Sequence, residues 1–448
     1  MPEKENQGEV MWPRLVANKL LRRPVGGNSF DTDIPCSQTP FKFIDFDQLA
    51  IPKKLHGAQK DTRKYKLFVS TWNVGGILPT EDVNLEDWLD INNYYDIYVL
   101  GFQEVVPLSA KNVLGKEKRR ILVQWNSLIR RTLNRTSCGL GLEGGREGKA
   151  GEKQKVHPVK EGSSKCGFVR DFRCIISKQM VGILVSVWVR RELQCYLRHP
   201  GVSCIGCGIM GCLGNKGAIS VRFCLHETSF CFVCCHLASG GKEGDKMNRN
   251  SDAMQILSRT SFPRGPSLDL PQKILDHERV VLFGDLNYRI SLPEAMTRSL
   301  VEDEQWSTLL QKDELRAEVS KGRAFEDWQE GGITFSPTYK YYPNSDNYYG
   351  CIQGQKGDKR RAPAWCDRIL WHIGEGIKQE RYDRCESKLS DHRPVRGTFT
   401  VNVEVLRSFN SLRSFFSERF HSERSTLSEK DDYSSIERST SLHEHNTL

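Results

Sequence analysis

Short apolar segments that end in polar or glycine residues recur along this chain and constrain its fold more than any other feature. Residues 66–73 (KLFVSTWN) and residues 96–101 (DIYVLG) have this form, as do residues 280–287 (VVLFGDLN). Runs of this length and composition are typical of buried β-strands. Polar residues at the ends of such strands are expected to place reactive side chains along one edge of a sheet.

The remaining pattern predicts an α/β protein that contains much antiparallel sheet. Residues 169–192, 202–225 and 229–237 are predicted to form successive strands, with turns at 179–182 and 226–229. Helical patterns follow between Pro293 and Arg316. The last predicted strand pair is Arg368–His372 with Val395–Val401.

The chain divides by composition into three regions. Residues 1–65 are expected to be mostly irregular, residues 66–401 to form the folded domain, and residues 402–448 to hold an amphipathic segment and a disordered tail. A Gly, Lys and Glu-rich insert at 137–167 is expected to be disordered because it has few apolar residues. Apolar residues at helical spacing in 405–420 suit either an interfacial helix or a helix packed on the core.

The charge of the chain favours polyanionic partners. The formal net charge is +9 and the isoelectric point is near 8.8, which suits phosphorylated small molecules, anionic lipid surfaces or nucleic acid. The N-terminus has no signal-peptide pattern, and no apolar run is long enough to span a bilayer. These features predict a cytoplasmic protein with peripheral contact to the plasma membrane or other anionic membranes.

Cysteine spacing raises the question of a zinc site. The chain has 15 cysteines, an odd number, and Cys204-x-x-Cys207 and Cys231-x-x-Cys234 resemble zinc-ribbon pairs. The second pair lies in a predicted strand, where residues i and i+3 point to opposite faces and cannot easily share one metal. Reduced, buried thiols are therefore expected.

Carboxylate, amide and imidazole side chains follow the predicted strands. Each of them alone is compatible with a turn or a loop cap. Hard cations such as Mg²⁺ prefer oxygen ligands, and phosphate ester hydrolysis needs an oriented water and neutralised phosphoryl oxygens. Together these residues suit that chemistry: Asn73, Glu104, His236, Asp285, Asn287, Asp367, Asp391 and His392.

The motifs that contain these residues resemble the ordered motif set of the inositol polyphosphate 5-phosphatases. The resemblance covers residues 66–401, about three quarters of the chain. The chain most resembles the short, single-domain type I members of plants. The motifs are TWNV (71–74), GFQEV (101–105), GNKG (214–217), HL (236–237), FGDLNYRI (283–290), PTYKY (337–341), RAPAWCDRIL (361–370) and SDHRPV (390–395).

The resemblance implies a DNase I-like (endonuclease/exonuclease/phosphatase) four-layer α/β sandwich with two mixed β-sheets and outer helices. It also implies a Mg²⁺ cofactor held mainly by Glu104, with Asn73 nearby. By the same resemblance, Asp285 activates the attacking water and Asn287 aligns the water and the phosphate. His236 and His392 hydrogen-bond the phosphoryl oxygens, and Asp367 orients His392.

Strand alternation adds one inference about Asp391. Adjacent strand residues face opposite ways, so Asp391 is poorly placed to orient its neighbour His392 and is expected to approach the metal. Asp367 is the better partner for His392. A carboxylate in that position favours the protonated imidazole.

Basic residues are expected to select the substrate. The resemblance implies that Lys340, Lys359 and Arg361 grip the phosphate next to the one removed, although exposed lysines are often only solvated. The expected substrate-binding set also contains Arg289, Tyr339 and Arg368. The implied substrates are phosphatidylinositol 4,5-bisphosphate, phosphatidylinositol 3,4,5-trisphosphate and inositol 1,4,5-trisphosphate, so that the enzyme attenuates phosphoinositide and inositol phosphate signalling.

Two other functions remain open from the sequence. A nucleic-acid phosphodiesterase of the same superfamily would share most catalytic residues and would welcome a basic surface. The TYKY (338–341) and AWCDR (364–368) motifs favour the inositol phosphatases, so no nucleic-acid partner is expected. A catalytically dead membrane adaptor would lack a catalytic residue, and none is missing. The protein is expected to be a monomer.

Overall fold

The computed structural model describes residues 29–33, 60–107, 112, 119–135, 170–208, 213–264, 270–350 and 361–406. The chain divides into two compact units, Met1–Ile51 with Thr62–Glu404, and Pro52–Asp61 with Val405–Leu448. Only Lys60, Asp61, Val405 and Leu406 are described in the second unit.

One six-stranded sheet, here called sheet A, contains both ends of the described fold. The strand order is β11-β12-β1-β2-β4-β3, with β1 and β2 parallel and β2–β4, β3–β4 and β11–β12 antiparallel. The strands are β1 (Lys60–Asn73), β2 (Ile97–Gln103), β3 (Phe172–Met180), β4 (Ile183–Arg190), β11 (Ile377–Arg384) and β12 (Val395–Leu406).

The second six-stranded sheet, sheet B, has the order β5-β6-β7-β8-β10-β9. Its β7 and β8 are parallel and its other pairs are antiparallel, so both sheets are mixed. The strands are β5 (Leu197–Gly206), β6 (Gly217–Leu225), β7 (Thr228–His236), β8 (Arg279–Asp285), β9 (Trp328–Glu330) and β10 (Asp367–His372).

The sheets pack face to face because their strands are apolar on both sides. Val99 of β2 and Phe283 of β8 meet in the core between the sheets. On β7, Cys234 belongs to that inner core, whereas Cys231 faces the outer core of sheet B. The expectation that Cys231 and Cys234 point to opposite faces of the strand is therefore confirmed, and all described cysteines are free thiols.

Helices cover the outer faces of both sheets. Helix α1 (Arg119–Leu133) places Trp125 against sheet A, where its ring lies 4.7 Å from that of Phe102. Helix α2 (Asp245–Arg259) buries Ala253 and Ile256 against sheet B. Three further helices follow, α3 (Glu294–Glu302), α4 (Trp306–Leu310) and α5 (Glu314–Lys321). The result is the predicted four-layer sandwich of two mixed sheets with outer helices.

One predicted strand pair is wrong. Arg368–His372 lies in β10, which pairs with β8 and β9 in sheet B, whereas Val395–Val401 lies in β12 of sheet A. In sheet A, β12 lies between β1 and β11, and the sequence analysis missed β11. Strand β11 is an edge strand with the sequence IKQERYDR, in which only Tyr382 is buried and the apolar residues do not alternate with the polar ones.

Several predicted regions lie wholly or mostly outside the described residues. They are the insert at 137–167, the tail beyond Leu406 and most of residues 1–65. Within residues 1–65, Asp31 forms a bridge to Ser177 beside β3, and β1 begins at Lys60, before the predicted boundary. Among the described helices, none is long and apolar enough to cross a bilayer.

Gly101 marks a close contact between the sheets. A Cβ added at this position would lie 2.5 Å from the Phe283 ring and 2.6 Å from Cys234 Sγ. Both neighbours are fully buried, so neither has free space to move into. Glycine at this position in β2 therefore sets the separation of sheets A and B.

We expect Gly101→Ala to lower the free energy of unfolding by about 1–3 kcal/mol, the usual cost of overpacking a core. Urea unfolding with fluorescence detection measures this loss. Gly332→Ala is the control, because nothing lies within 4 Å of its added Cβ. Equal midpoints for the two variants would contradict the proposed role of Gly101.

Candidate active site

Strand register in sheet B brings three predicted site residues side by side. The parallel register of β7 and β8 pairs His236 with Asp285, and the antiparallel register of β8 and β10 pairs Asp285 with Asp367. His236 and Asp285 are the last residues of their strands, and Asp367 is the first residue of β10. All three are almost fully buried, and His236 Nε2 lies 3.3 Å from Asp285 Oδ2.

Sheet A supplies the facing part of the site. Asn73 ends β1, and Glu104 directly follows β2. Asn73 Nδ2 donates to Asp285 Oδ2 at 3.0 Å, which links the two sheets within the site. The Glu104 carboxylate points toward the same region, with Oε1 3.8 Å from His236 Nε2.

Two site residues have left-handed backbone conformations. The φ angles are +55° for Glu104 and +58° for Asn287, which non-glycine residues rarely adopt. The backbone N–H of Asn287 donates to Asp285 Oδ1 at 3.1 Å and to the Cys366 carbonyl at 3.3 Å. Such strain concentrates at functional sites because surrounding contacts hold it in place.

His392 and Asp367 form a buried pair. His392 Nδ1 lies 2.8 Å from Asp367 Oδ2, which also accepts a hydrogen bond from Thr338 Oγ1 at 2.7 Å. Burial alone would lower the pKa of His392, but Asp367, Asp285 and Asp391 outweigh it and raise that pKa to about 9. The predicted contact between Asp367 and His392 is confirmed, and the imidazole is cationic at neutral pH.

Asp285 is ionised despite its burial. Burial would raise its pKa, but the hydrogen bond from His236 and the charge of His392 hold the pKa well below the usual range. For His236, burial and the neighbouring Lys216 lower the pKa, so its imidazole is neutral. The site therefore combines one neutral histidine with one charged histidine around an ionised carboxylate.

Lys216 is a site residue that the sequence analysis did not single out. Its ammonium contacts His236 Nε2, and it lies directly before β6, whose Gly217 pairs with His236. Burial lowers the pKa of Lys216, opposed by Asp285 and Glu104. The available signal was its position within the GNKG (214–217) motif beside a predicted strand.

Asp391 meets a lysine in this structure. Lys340 Nζ lies 3.0 Å from Asp391 Oδ2 and 5.1 Å from the centre of the Tyr349 ring. A Cβ at Gly75 would come within 3.0 Å of Asp391 Oδ1, so the loop after β1 closes against this carboxylate. Asp391 does not hydrogen-bond its neighbour His392 through its side chain, as expected.

The predicted substrate-binding residues divide into three groups. Arg289, Tyr339, Lys340 and Arg361 line the site cavity. Lys359 lies outside the described residues. The structure corrects the prediction for Arg368, which is 1% exposed and binds Asp313 at 3.0 Å and Glu330 on the opposite face of β10. Its neighbour Asp367 faces the site, and strand alternation turns Arg368 away.

The site residues of the two sheets surround a cavity of about 240 Å³. Both acidic and basic side chains line it, so an anion and a cation can both be bound there. A larger cavity of about 330 Å³ beside Tyr94 and Tyr98 is also lined by charged side chains but by no histidine. The residues that line the site cavity are Asn73, Glu104, Lys216, His236, Ser239, Gly240, Asp285, Asn287, Arg289, Tyr339, Lys340, Arg361, Asp391 and His392.

The donor set fits a hard divalent cation. Glu104 makes no side-chain hydrogen bond with any described residue, and its carboxylate faces the cavity beside Asn73 and Asp391. Oxygen donors of this kind suit Mg²⁺ or Ca²⁺. A different group, Asp285, Asp367 and His392, has ligand atoms within 4.8 Å of one another, but His392 Nδ1 in that group already bonds Asp367.

Comparisons with known proteins agree with this geometry. Residues 70–398 match the family model described as Endonuclease/Exonuclease/phosphatase family 2. The chain is 55% identical to type IV inositol polyphosphate 5-phosphatase 9 of Arabidopsis thaliana, over 94% of this chain and 99% of that one. It is 42% identical to type I inositol polyphosphate 5-phosphatase 8 of the same plant, over 89% and 88%. Relatives thus carry both type I and type IV names.

Solved structures give the same result. The inositol polyphosphate 5-phosphatase domain of SPSynaptojanin, in complex with inositol 1,4-bisphosphate and calcium, matches with a TM-score of 0.61 at 28% identity. That match covers 83% of this chain and 94% of the other. A Cimex nitrophorin, at 19% identity and a TM-score of 0.51 over 76% and 99%, shares the fold alone. This chain belongs to the inositol polyphosphate 5-phosphatases, hydrolases that remove the 5-phosphate of inositol phosphates.

Proposed function

We propose that the enzyme uses Mg²⁺ to remove the 5-phosphate from inositol rings that also carry a 4-phosphate. The proposed substrates are phosphatidylinositol 4,5-bisphosphate, phosphatidylinositol 3,4,5-trisphosphate and inositol 1,4,5-trisphosphate, whose signals it would attenuate. The observation that carries the proposal is one cavity that combines the His392–Asp367 pair, ionised Asp285 and the basic residues Arg289, Lys340 and Arg361.

In this mechanism, ionised Asp285 accepts a hydrogen bond from the attacking water and takes up its proton as the bond from the water oxygen to phosphorus forms. The bond between phosphorus and the inositol 5-oxygen breaks at the same time, and the departing oxygen takes a proton from solvent water. Asn287 aligns the water and the phosphate, because its left-handed backbone turns the amide toward the cavity. Cationic His392, held by Asp367, donates a hydrogen bond from Nε2 to a phosphoryl oxygen. His236 supplies a neutral hydrogen-bonding group beside Asp285.

Glu104, Asn73 and Asp391 would hold the divalent cation. When bound, the cation supplies charge neutralisation on the phosphoryl oxygens. The SPSynaptojanin domain was solved in complex with a calcium ion, which supports a divalent cation as the cofactor. We propose Mg²⁺ because two carboxylates and one amide leave room for the water and phosphate ligands that Mg²⁺ retains.

Recognition of the 4-phosphate is assigned to Lys340, with Arg361 and Arg289 at the cavity wall. Lys340 now pairs with Asp391, so a bound phosphate would exchange one anionic partner for another at little cost in desolvation. The ligand of the SPSynaptojanin domain, inositol 1,4-bisphosphate, keeps a 4-phosphate and lacks a 5-phosphate. That ligand is what 5-phosphate removal from inositol 1,4,5-trisphosphate leaves.

The proposal extends to the setting of the enzyme. We propose a monomeric, cytoplasmic protein that makes peripheral contact with anionic membranes and binds no nucleic acid. The net charge of +9 supports contact with anionic lipid. The amphipathic segment predicted within 405–420, nearly all of it outside the described residues, is the candidate membrane anchor.

Phosphate release from a substrate panel tests the proposal. We expect turnover of the three proposed substrates, loss of turnover with EDTA, and recovery when Mg²⁺ is added in excess. Single-stranded DNA in the same assay tests the phosphodiesterase alternative. Recovery with Zn²⁺ and not with Mg²⁺ would contradict the oxygen-donor assignment, and release of nucleotides would contradict the substrate class.

We expect Asp285→Ala and His392→Ala each to lower kcat by about 10²–10⁴-fold, because each removes a group that acts on the transition state. Phosphate release under saturating substrate measures kcat, and circular dichroism checks folding. His372→Ala on β10 is the control, since His372 packs on Trp328 away from the cavity. Near-normal turnover of either site variant would refute the mechanism.

Lys340→Ala should weaken substrates with a 4-phosphate more than substrates without one. A lysine that pairs with a phosphate in a half-buried cleft contributes more than one in bulk water. The ratio of kcat/KM for inositol 1,4,5-trisphosphate to that for a 5-phosphate lacking the 4-phosphate measures the effect. Lys388→Ala, which removes only an exposed pair with Asp346, is the control. An unchanged ratio rejects the assignment.

A further inference from the structure

Arg249 of helix α2 is a fully buried cation outside the site cavity. Its side chain is 0% exposed, and two of its guanidinium nitrogens bind different elements of the fold. Nη1 donates to the Gly240 carbonyl at 3.1 Å, and Nη2 donates to Glu314 Oε2 at 2.7 Å. Burying an arginine is costly unless it is paired and hydrogen-bonded, so this pairing is the condition for keeping it there.

Both partners of Arg249 connect directly to the cavity. Gly240 is part of the cavity wall. Glu314 begins α5, and its Oε2 also accepts from the Arg289 backbone N–H at 3.0 Å, while its own N–H donates to the Arg289 carbonyl at 2.9 Å. The Arg249–Glu314 pair therefore fixes the backbone at Arg289 from behind.

Arg289 in turn fixes Asn287. Its Nη2 donates to Asn287 Oδ1 at 2.7 Å, and its guanidinium lies 4.6 Å from the centre of the Tyr339 ring. The other end of the Asn287 amide donates to the Leu237 carbonyl at 3.1 Å. Both ends of this amide are thus held, so its orientation in the cavity depends on where Arg289 lies.

We propose that Arg249 and Glu314 are positioning residues for the 5-phosphatase reaction: they set the place of Arg289 and so the orientation of Asn287. The inference rests on the proposed role of Asn287 in aligning water and phosphate. Neither residue of the pair lines the cavity, so their effect passes through Arg289 and Gly240. A fork with two donors is required, since Gly240 and Glu314 are bound by separate nitrogens.

Arg249→Lys tests this inference because it keeps the buried charge and removes the fork. We expect kcat/KM to fall and the inhibition constant of orthovanadate, a pentacoordinate phosphate mimic, to rise. The inhibition constant should rise by about 10-fold to 100-fold, because a small displacement of an aligned group weakens binding of the transition state by that much. An inhibition constant does not depend on the fraction of folded enzyme. Loss of stability alone would leave it unchanged.

Glu318→Gln is the matched control. Glu318 is buried on helix α5, the helix that begins at Glu314. It accepts a hydrogen bond from Asn250 Nδ2 at 2.9 Å but touches none of the residues that line the cavity. We expect this variant to lower the melting temperature and to leave the orthovanadate constant within about 2-fold of wild type. Equal constants for Arg249→Lys and wild type would overturn the proposal.

Glu314→Gln provides a second test if Arg249→Lys does not fold. It keeps an acceptor for Arg289 and removes the charge that pairs with Arg249, so a smaller rise in the same direction is expected. In the double variant, the fold-change of the inhibition constant should be smaller than the product of the fold-changes in the two single variants, because the two residues act as one unit. A fold-change equal to that product would contradict this. For each variant, kcat/KM and the orthovanadate inhibition constant are compared with the wild-type values on the substrate that the wild type hydrolyses fastest. An error in the proposed substrate would therefore not alter the comparison.

Discussion

The register of three neighbouring strands is the constraint on which the site depends. Parallel pairing of β7 with β8 and antiparallel pairing of β8 with β10 bring His236, Asp285 and Asp367 into one row. A slip of one residue in either pair would turn a carboxylate into the outer core, because the side-chain period of a strand is two. The apolar residues that precede His236 and Asp285, and those that follow Asp367, fix that register by burying both faces of their strands.

The charges of the site are arranged so that each buried ion has a partner. Asp367 faces cationic His392, Asp391 faces Lys340, and Asp285 lies between two histidines. Ligand binding can then exchange partners without exposing a bare charge to the low-dielectric interior. The same rule explains Arg368, whose two carboxylate partners keep it in the fold and away from the substrate.

Much of this site could be predicted from the sequence because its residues follow apolar strands within specific motifs. The pairing of Asp367 with His392 was implied by the family resemblance, strand alternation argued against Asp391 as the partner, and the Asp367–His392 contact is present. The same alternation, applied to Asp367 and Arg368, would have excluded Arg368 from the cavity. Strand β11 could not be predicted because an exposed edge strand needs no apolar pattern. The contact of Lys216 with His236 depends on the register of β6 and β7, which a motif alone does not give.

The hydrogen bond from Asn73 Nδ2 to Asp285 Oδ2 joins sheet A to sheet B inside the cavity. A reaction centre divided between two sheets is sensitive to any sliding of one layer over the other. Substitutions in the core between the two sheets, far from the reacting groups, can therefore lower the catalytic rate while the protein stays folded. In this architecture, the alignment of the two layers affects turnover as well as stability.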